Sequence, residues 1–70
     1  MINDEHAGII EEAGHMHRYL QIVFREQLNA SNAPDTLATF LYVRARGEPD
    51  FARQLLKAGG GKAVAEIVLG

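Results

Sequence analysis

The spacing of apolar residues over the first third of the chain constrains the fold more than any other feature. Ile9, Ala13, Met16, Leu20 and Val23 recur at alternating intervals of four and three, and Ile10, Phe24 and Leu28 widen the stripe. At 3.6 residues per turn these positions fall within one arc of about 140°, the width of a core-facing helical surface. The reading is an amphipathic helix over about residues 4–28, with Asn3 as its N-cap and acidic residues in its first turn. Such a helix is about 37 Å long. The whole chain has 70 residues, so the remainder must fold back along it. Gly8 and Gly14 each cost roughly 1 kcal/mol in a helix interior relative to Ala. Gly14 is therefore expected to mark a close helix approach or a bend.

The rest of the chain is divided by turn residues. "NASNAP" (29–34) reads as a loop in which Ser31 or Asn32 caps the next helix and Pro34 sits in its first turn. That helix, near 34–46, presents Leu37, Phe40 and Leu41 and stops at Gly47. Pro49 opens a third helix over 49–58, which presents Phe51, Ala52, Leu55 and Leu56 before "GGG" (59–61) ends it. Val64, Ile67 and Val68 fit a fourth helix over 62–69. They also alternate well enough for a strand, but a lone strand would have only its own copy in a dimer to pair with. The expectation is one all-α domain over 1–70, with a long N-terminal helix packed against two or three short ones.

A core this small gives only a few kcal/mol of net stability, so such chains often lean on a partner subunit, a metal or disulfides. Cysteine is absent, which excludes disulfides and thiolate zinc sites. No apolar run is long enough to span a bilayer. The first residues, "MINDEHAGII", are acidic where a secretory signal is basic, so a cytoplasmic protein is expected. Formal net charge is −2 but unevenly spread. Asp4, Glu5, Glu11 and Glu12 lie near the N-terminus, and Arg44, Arg46, Arg53, Lys57 and Lys62 further along. That distribution suits solvated helix faces, head-to-tail attraction between subunits, or a basic patch aimed at an acidic partner.

The motifs that look chemical are weak. His15 and His17 are two apart, so on a helix they point roughly 200° away from each other and cannot chelate one ion together. His15 shares a face with Glu11 and Glu12, but two ligands fall short of the three or four that zinc requires. His15 reads as a solvated residue. His17 and His6 fall in the apolar arc and read as partly buried histidines bonded to a carbonyl or carboxylate. "KAGGGKA" (57–63) lacks the first glycine and the hydroxyl residue of a phosphate-binding loop. Ser31 is the only serine, and no pocket is evident that would tune Glu11 or Glu12 as an acid–base pair. No enzyme, cofactor or metal is expected. Two short helices around a glycine turn leave a helix-turn-helix DNA-binding regulator as the alternative. Nucleic acid is nevertheless not the expected partner, because after Lys62 the last helix has no Arg, Asn or Gln to reach base edges.

Other residues break the amphipathic pattern. Tyr19 and Ile22 lie outside the main arc of the first helix, beside His15. Either that helix is sandwiched between others, or Tyr19 and Ile22 belong to a contact patch. In the second helix Arg44 projects among Leu37, Phe40 and Leu41. Its stem can lie on apolar surface, or its guanidinium can meet an acid from another chain. With Tyr42 and Val43 on the remaining sides, that helix is apolar nearly all round, which favours a partner. The functional expectation is a small non-enzymatic protein–protein interaction module, an inhibitor or adaptor of the kind phages and mobile elements encode, self-associating as a homodimer. His15, Tyr19, Ile22, Tyr42 and Arg44 are its candidate contact residues.

Overall fold

The computed structural model describes the backbone of residues 4–70 and the side chains of residues 7–70. Asn3, the expected cap, and the side chain of His6 lie outside the described residues. The helices are α1 (Asp4–Val23), α2 (Ala33–Gly47), α3 (Pro49–Lys57) and α4 (Gly61–Leu69). No strand occurs among the described residues, so the last segment takes the helical option that its spacing allowed. The chain is all-α, with the long N-terminal helix packed against shorter ones. The bounds of α2, α3 and α4 fall within one residue of those expected.

Helix α1 is the exception, ending at Val23 rather than Leu28. The Leu28 N–H bonds the Phe24 carbonyl at 2.8 Å, so residues 24–28 form a separate turn. Asparagine side chains compete here for the backbone. Asn29 Oδ1 accepts from the N–H groups of Ser31 and Asn32 at 2.9 and 3.0 Å. Asn32 Oδ1 accepts from the Asn29 N–H, and Asn32 Nδ2 donates to the Gln27 carbonyl, at 2.8 and 2.7 Å. Such local side-chain bonds stabilise turns in preference to helix. Asn32 does stand at the N-cap position of α2, but its side chain is spent backward on the loop and makes no cap bond to α2.

The two later junctions follow from their residues. Glu48 is extended (φ −137°, ψ 94°), as the following proline requires, and separates α2 from α3. After α3 the Gly59 N–H bonds the Leu56 carbonyl at 3.1 Å and the Gly60 N–H bonds the Leu55 carbonyl at 2.9 Å. This is a Schellman C-cap, with Gly59 at φ +104°. Gly60 follows at φ 97°, ψ 171°, a region only glycine visits without strain. Gly61 is needed for space instead. A Cβ there would lie 2.7 Å from Tyr42 Cε2 and 3.1 Å from the Ala38 carbonyl oxygen. The start of α4 is thus pressed directly onto α2.

The core joins Ile9, Ala13 and Leu20 of α1 to Leu37, Ala38 and Leu41 of α2, Phe51 and Leu55 of α3, and Val64 and Ala65 of α4. Each large side chain fully buried in this way stabilises the fold by about 1.5–3 kcal/mol. The Cα envelope measures 33 × 30 × 16 Å. Its thin dimension admits no more than two layers of helices at the usual spacing of about 8–10 Å. Outer helix faces therefore stay open. Val23, Leu56 and Ile67, read from their spacing as core-facing, are exposed.

The glycines predict opposite signs. A Cβ at Gly14 would meet nothing within 4 Å, so this residue marks neither a close approach nor a crowded bend. Gly14→Ala should stabilise the protein by about 0.5–1 kcal/mol in urea unfolding, because alanine restricts the unfolded chain at no steric cost. Gly61→Ala should destabilise it by about 1–3 kcal/mol through overpacking against α2. A neutral Gly61→Ala would show that α4 does not approach α2 this closely.

Candidate protein-binding surface

Two of the candidate contact residues on α2 are engaged within the chain. Arg44 Nη1 donates to Glu12 Oε2 of α1 at 2.6 Å, and its Nε donates to Glu48 Oε2 at 2.7 Å. Its guanidinium carbon lies 4.5 Å from the centre of the Phe51 ring on α3. The acid that meets Arg44 therefore comes from its own chain, and one side chain links α1, α2 and α3. Tyr42 has a comparable task. Its hydroxyl accepts the Gly61 N–H at 2.9 Å, satisfying one of the free donors at the start of α4 from a neighbouring helix. Three helices of the same chain meet α2 at Leu37, Leu41, Tyr42 and Arg44, and Val43 stays exposed.

The candidates on α1 stand differently. Tyr19 is 61% exposed and Ile22 75%, so the sandwiched arrangement is not the one adopted. Val23, at 49%, joins them. His15 is exposed as well. His15, Tyr19, Ile22 and Val23 are spaced i, i+4, i+7 and i+8 and project from one side of the helix. Nearer the N-terminus that same side is occupied. A Cβ on Gly8 would come within 3.9 Å of Gln54 Oε1 on α3, and Glu12 is held by Arg44. The covering helices are short and the second half of the stripe runs past them.

A cleft of about 310 Å³ opens immediately after the stripe, lined by Phe24, Leu28 and Phe40 with Gln27, Asn32 and Thr36. The Phe24 and Phe40 rings stand 5.8 Å apart at its apolar wall. Sequence spacing alone could not find this cleft, because it is formed where α1 ends early and Phe24 turns toward α2.

The remaining polar groups are quickly placed. His17 is half-buried as expected, but its buried Nδ1 has no hydrogen-bond partner among the described residues. No group of three or more His, Asp or Glu side chains arranged to hold a metal occurs among the described residues. No helix there is long and apolar enough to cross a membrane.

The Glu12 carboxyl is held below its ordinary value, first by the hydrogen bond from Arg44, then by the Arg44 charge, with a smaller pull from His15 and burial opposing. The folded state therefore binds this proton more weakly than the unfolded chain. The stability contributed by the pair is fully present above the ordinary value of 4.5 and fades as pH falls through the lower folded value. Glu12→Gln should accordingly flatten the acid side of the stability–pH curve below about pH 4.5 and leave its shape above pH 6 unchanged. Arg44→Ala should cost about 1–2 kcal/mol at pH 7 in urea unfolding, mostly through loss of the stem packing and the contact over Phe51 rather than the solvent-screened ion pairs. An acid limb equally steep in Glu12→Gln and the parent would remove Glu12 as its source. Comparison of the chain with known protein families, with curated proteins and with solved structures finds no match.

Proposed function

We propose that this chain is a small non-enzymatic protein–protein interaction module, an inhibitor or adaptor, that acts through the His15, Tyr19, Ile22 and Val23 face of α1. The observation that carries the reading is the contiguous exposure of three large apolar side chains on one helix face, bordered by the Phe24, Leu28 and Phe40 cleft. Aromatic and branched apolar side chains with a histidine among them match the amphipathic helix faces that dock on protein grooves. The two charged groups with displaced titrations, Glu12 and Arg44, both serve to hold helices together. Self-association through this face belongs to the same reading, since a small core gains from a second subunit.

The rival is a DNA-binding regulator built on α3, the glycine turn and α4. The turn is compact, but the exposed residues of α4 are Lys62, Glu66 and Ile67, and Lys62 already lies 3.6 Å from Asp35. One partnered cation is a poor start for phosphate binding. This rival requires low-salt binding to duplex DNA that Lys57→Gln and Lys62→Gln weaken.

A photocrosslinking amino acid at Tyr19 or Ile22, in the cell that makes the protein, should give a discrete adduct with one protein. The same residue at Gln21 or Arg53 should give none. Circular dichroism of Tyr19→Ser/Ile22→Ser should match the parent while the adduct partner no longer binds. Absence of any adduct at Tyr19 and Ile22, or adducts equally abundant at Gln21, would overturn the assignment of this face.

A further inference from the structure

We infer that the end of α1 is a two-state latch. The Asn32 side chain holds the helix short at Val23, and its release lengthens α1 to Leu28 and dismantles the cleft beside Phe40. This inference stands apart from the reading of α1 as a contact face. Residues 24–28, "FREQL", contain neither glycine nor proline, and Arg25, Glu26, Gln27 and Leu28 are strong helix formers. Leu20, Phe24 and Leu28 continue one apolar line at intervals of four. The backbone ladder breaks all the same. The Phe24 N–H bonds the Leu20 carbonyl at 2.8 Å, as in a helix, but the Gln27 N–H turns to the Phe24 carbonyl at 3.0 Å. Among the described residues the Arg25 and Glu26 N–H groups have no backbone acceptor.

Asn32 holds the break with both ends of its amide. Its Oδ1 takes the Asn29 N–H at 2.8 Å, the donor that a helix through Leu28 sends to the Arg25 carbonyl. Its Nδ2 donates to the Gln27 carbonyl at 2.7 Å. Lengthening exchanges these bonds, and that from Gln27 to Phe24, for helical bonds from Arg25, Glu26, Gln27 and Asn29. The bonds given up resemble the bonds gained, so one side chain can decide between the two forms. The cleft depends on the same choice. Asn32, Thr36 and Phe40 recur every four residues and form its wall at the start of α2, while Gln27 and Leu28 come from the turn. The bond between Asn32 and Gln27 ties these walls together. In the long form Gln27 and Leu28 continue along the axis of α1, and residues 29–32 are left as a helix–helix connection of ordinary length. The wall supplied by the turn is then withdrawn, so the cleft belongs to the short form.

Amide exchange followed by NMR separates the two forms. In the parent protein Arg25 and Glu26 should exchange at close to the unprotected rate while Phe24 is protected. Asn32→Ala should slow exchange at Arg25 and Glu26 by about tenfold or more and move the α-carbon shifts of residues 25–28 to helical values. Asn32→Asp keeps an acceptor for the Asn29 N–H but loses the donor to Gln27, and should show the same change at smaller amplitude. A carboxylate is favoured near the N-terminus of α2, so this second variant keeps the fold. The chain has no cysteine, so spin labels at Gln27→Cys and Thr36→Cys report on the two walls alone. Their separation should widen when Asn32→Ala is added. Arg25 and Glu26 amides that are protected in the parent, or that stay unprotected in both variants, overturn the latch. Labels that keep their separation while α1 lengthens overturn its hold on the cleft.

Discussion

Residues 40–44 of α2 serve three neighbouring helices at once, and the rest of the molecule is arranged around that short stretch. Phe40 meets Phe24 where α1 turns away. Leu41 is completely buried in the common core. Tyr42 takes the first N–H of α4, and Arg44 reaches Glu12 on α1 while covering Phe51 on α3. Consecutive side chains on a helix point about 100° apart, so a run of five can address every side. The geometry works only because Gly61 lets the start of α4 approach without a side chain in between. Arg44 and Tyr42, two of the candidate contact residues, are tied to other helices of the chain, while Val43 of the same stretch stays exposed.

That arrangement decides what is left over. α2 is covered on several sides, whereas α1 gives the core one narrow line, Ile9, Ala13 and Leu20. α3 and α4 have nine residues each, about 13 Å, against about 30 Å for the 20 residues of α1. The side of α1 that the other helices leave open carries Tyr19, Ile22 and Val23.

The helices were legible in the sequence because their ends are marked by residues with one dominant conformational effect. Pro49 forces its predecessor to be extended, and Gly59 and Gly60 adopt positive φ. The end of α1 was not legible because Phe24 and Leu28 continue the apolar period beyond the last helical residue. What stops the helix is a set of bonds between Asn29, Asn32 and Gln27, which no periodicity registers. The exposure of side chains on α1 was legible in part. Tyr19 and Ile22 stood out as misfits on α1, while Val23 fitted the core pattern and was assigned to the wrong side. The tie between Arg44 and Glu12 joins residues 32 apart, and only the fold brings them together. Arg44 and Tyr42 were conspicuous in the sequence for a real reason, namely that Arg44 links three helices and Tyr42 links two.

Exposed apolar residues are common on any protein surface and mean little singly. Leu56, Val43 and Ile67 are as exposed as Tyr19, but they lie on three different helices. Tyr42 and Val43 are neighbours in sequence, yet they diverge around α2 and Tyr42 already has its hydrogen bond. Among the described residues, only on α1 do several large exposed apolar side chains follow one another along a single face, and contiguity is what allows a partner to remove such side chains from water together. Replacing any one of them by a polar residue would cost the monomer little, because none is buried. An apolar stripe that contributes so little to the stability of the single chain is what the proposed contact function calls for.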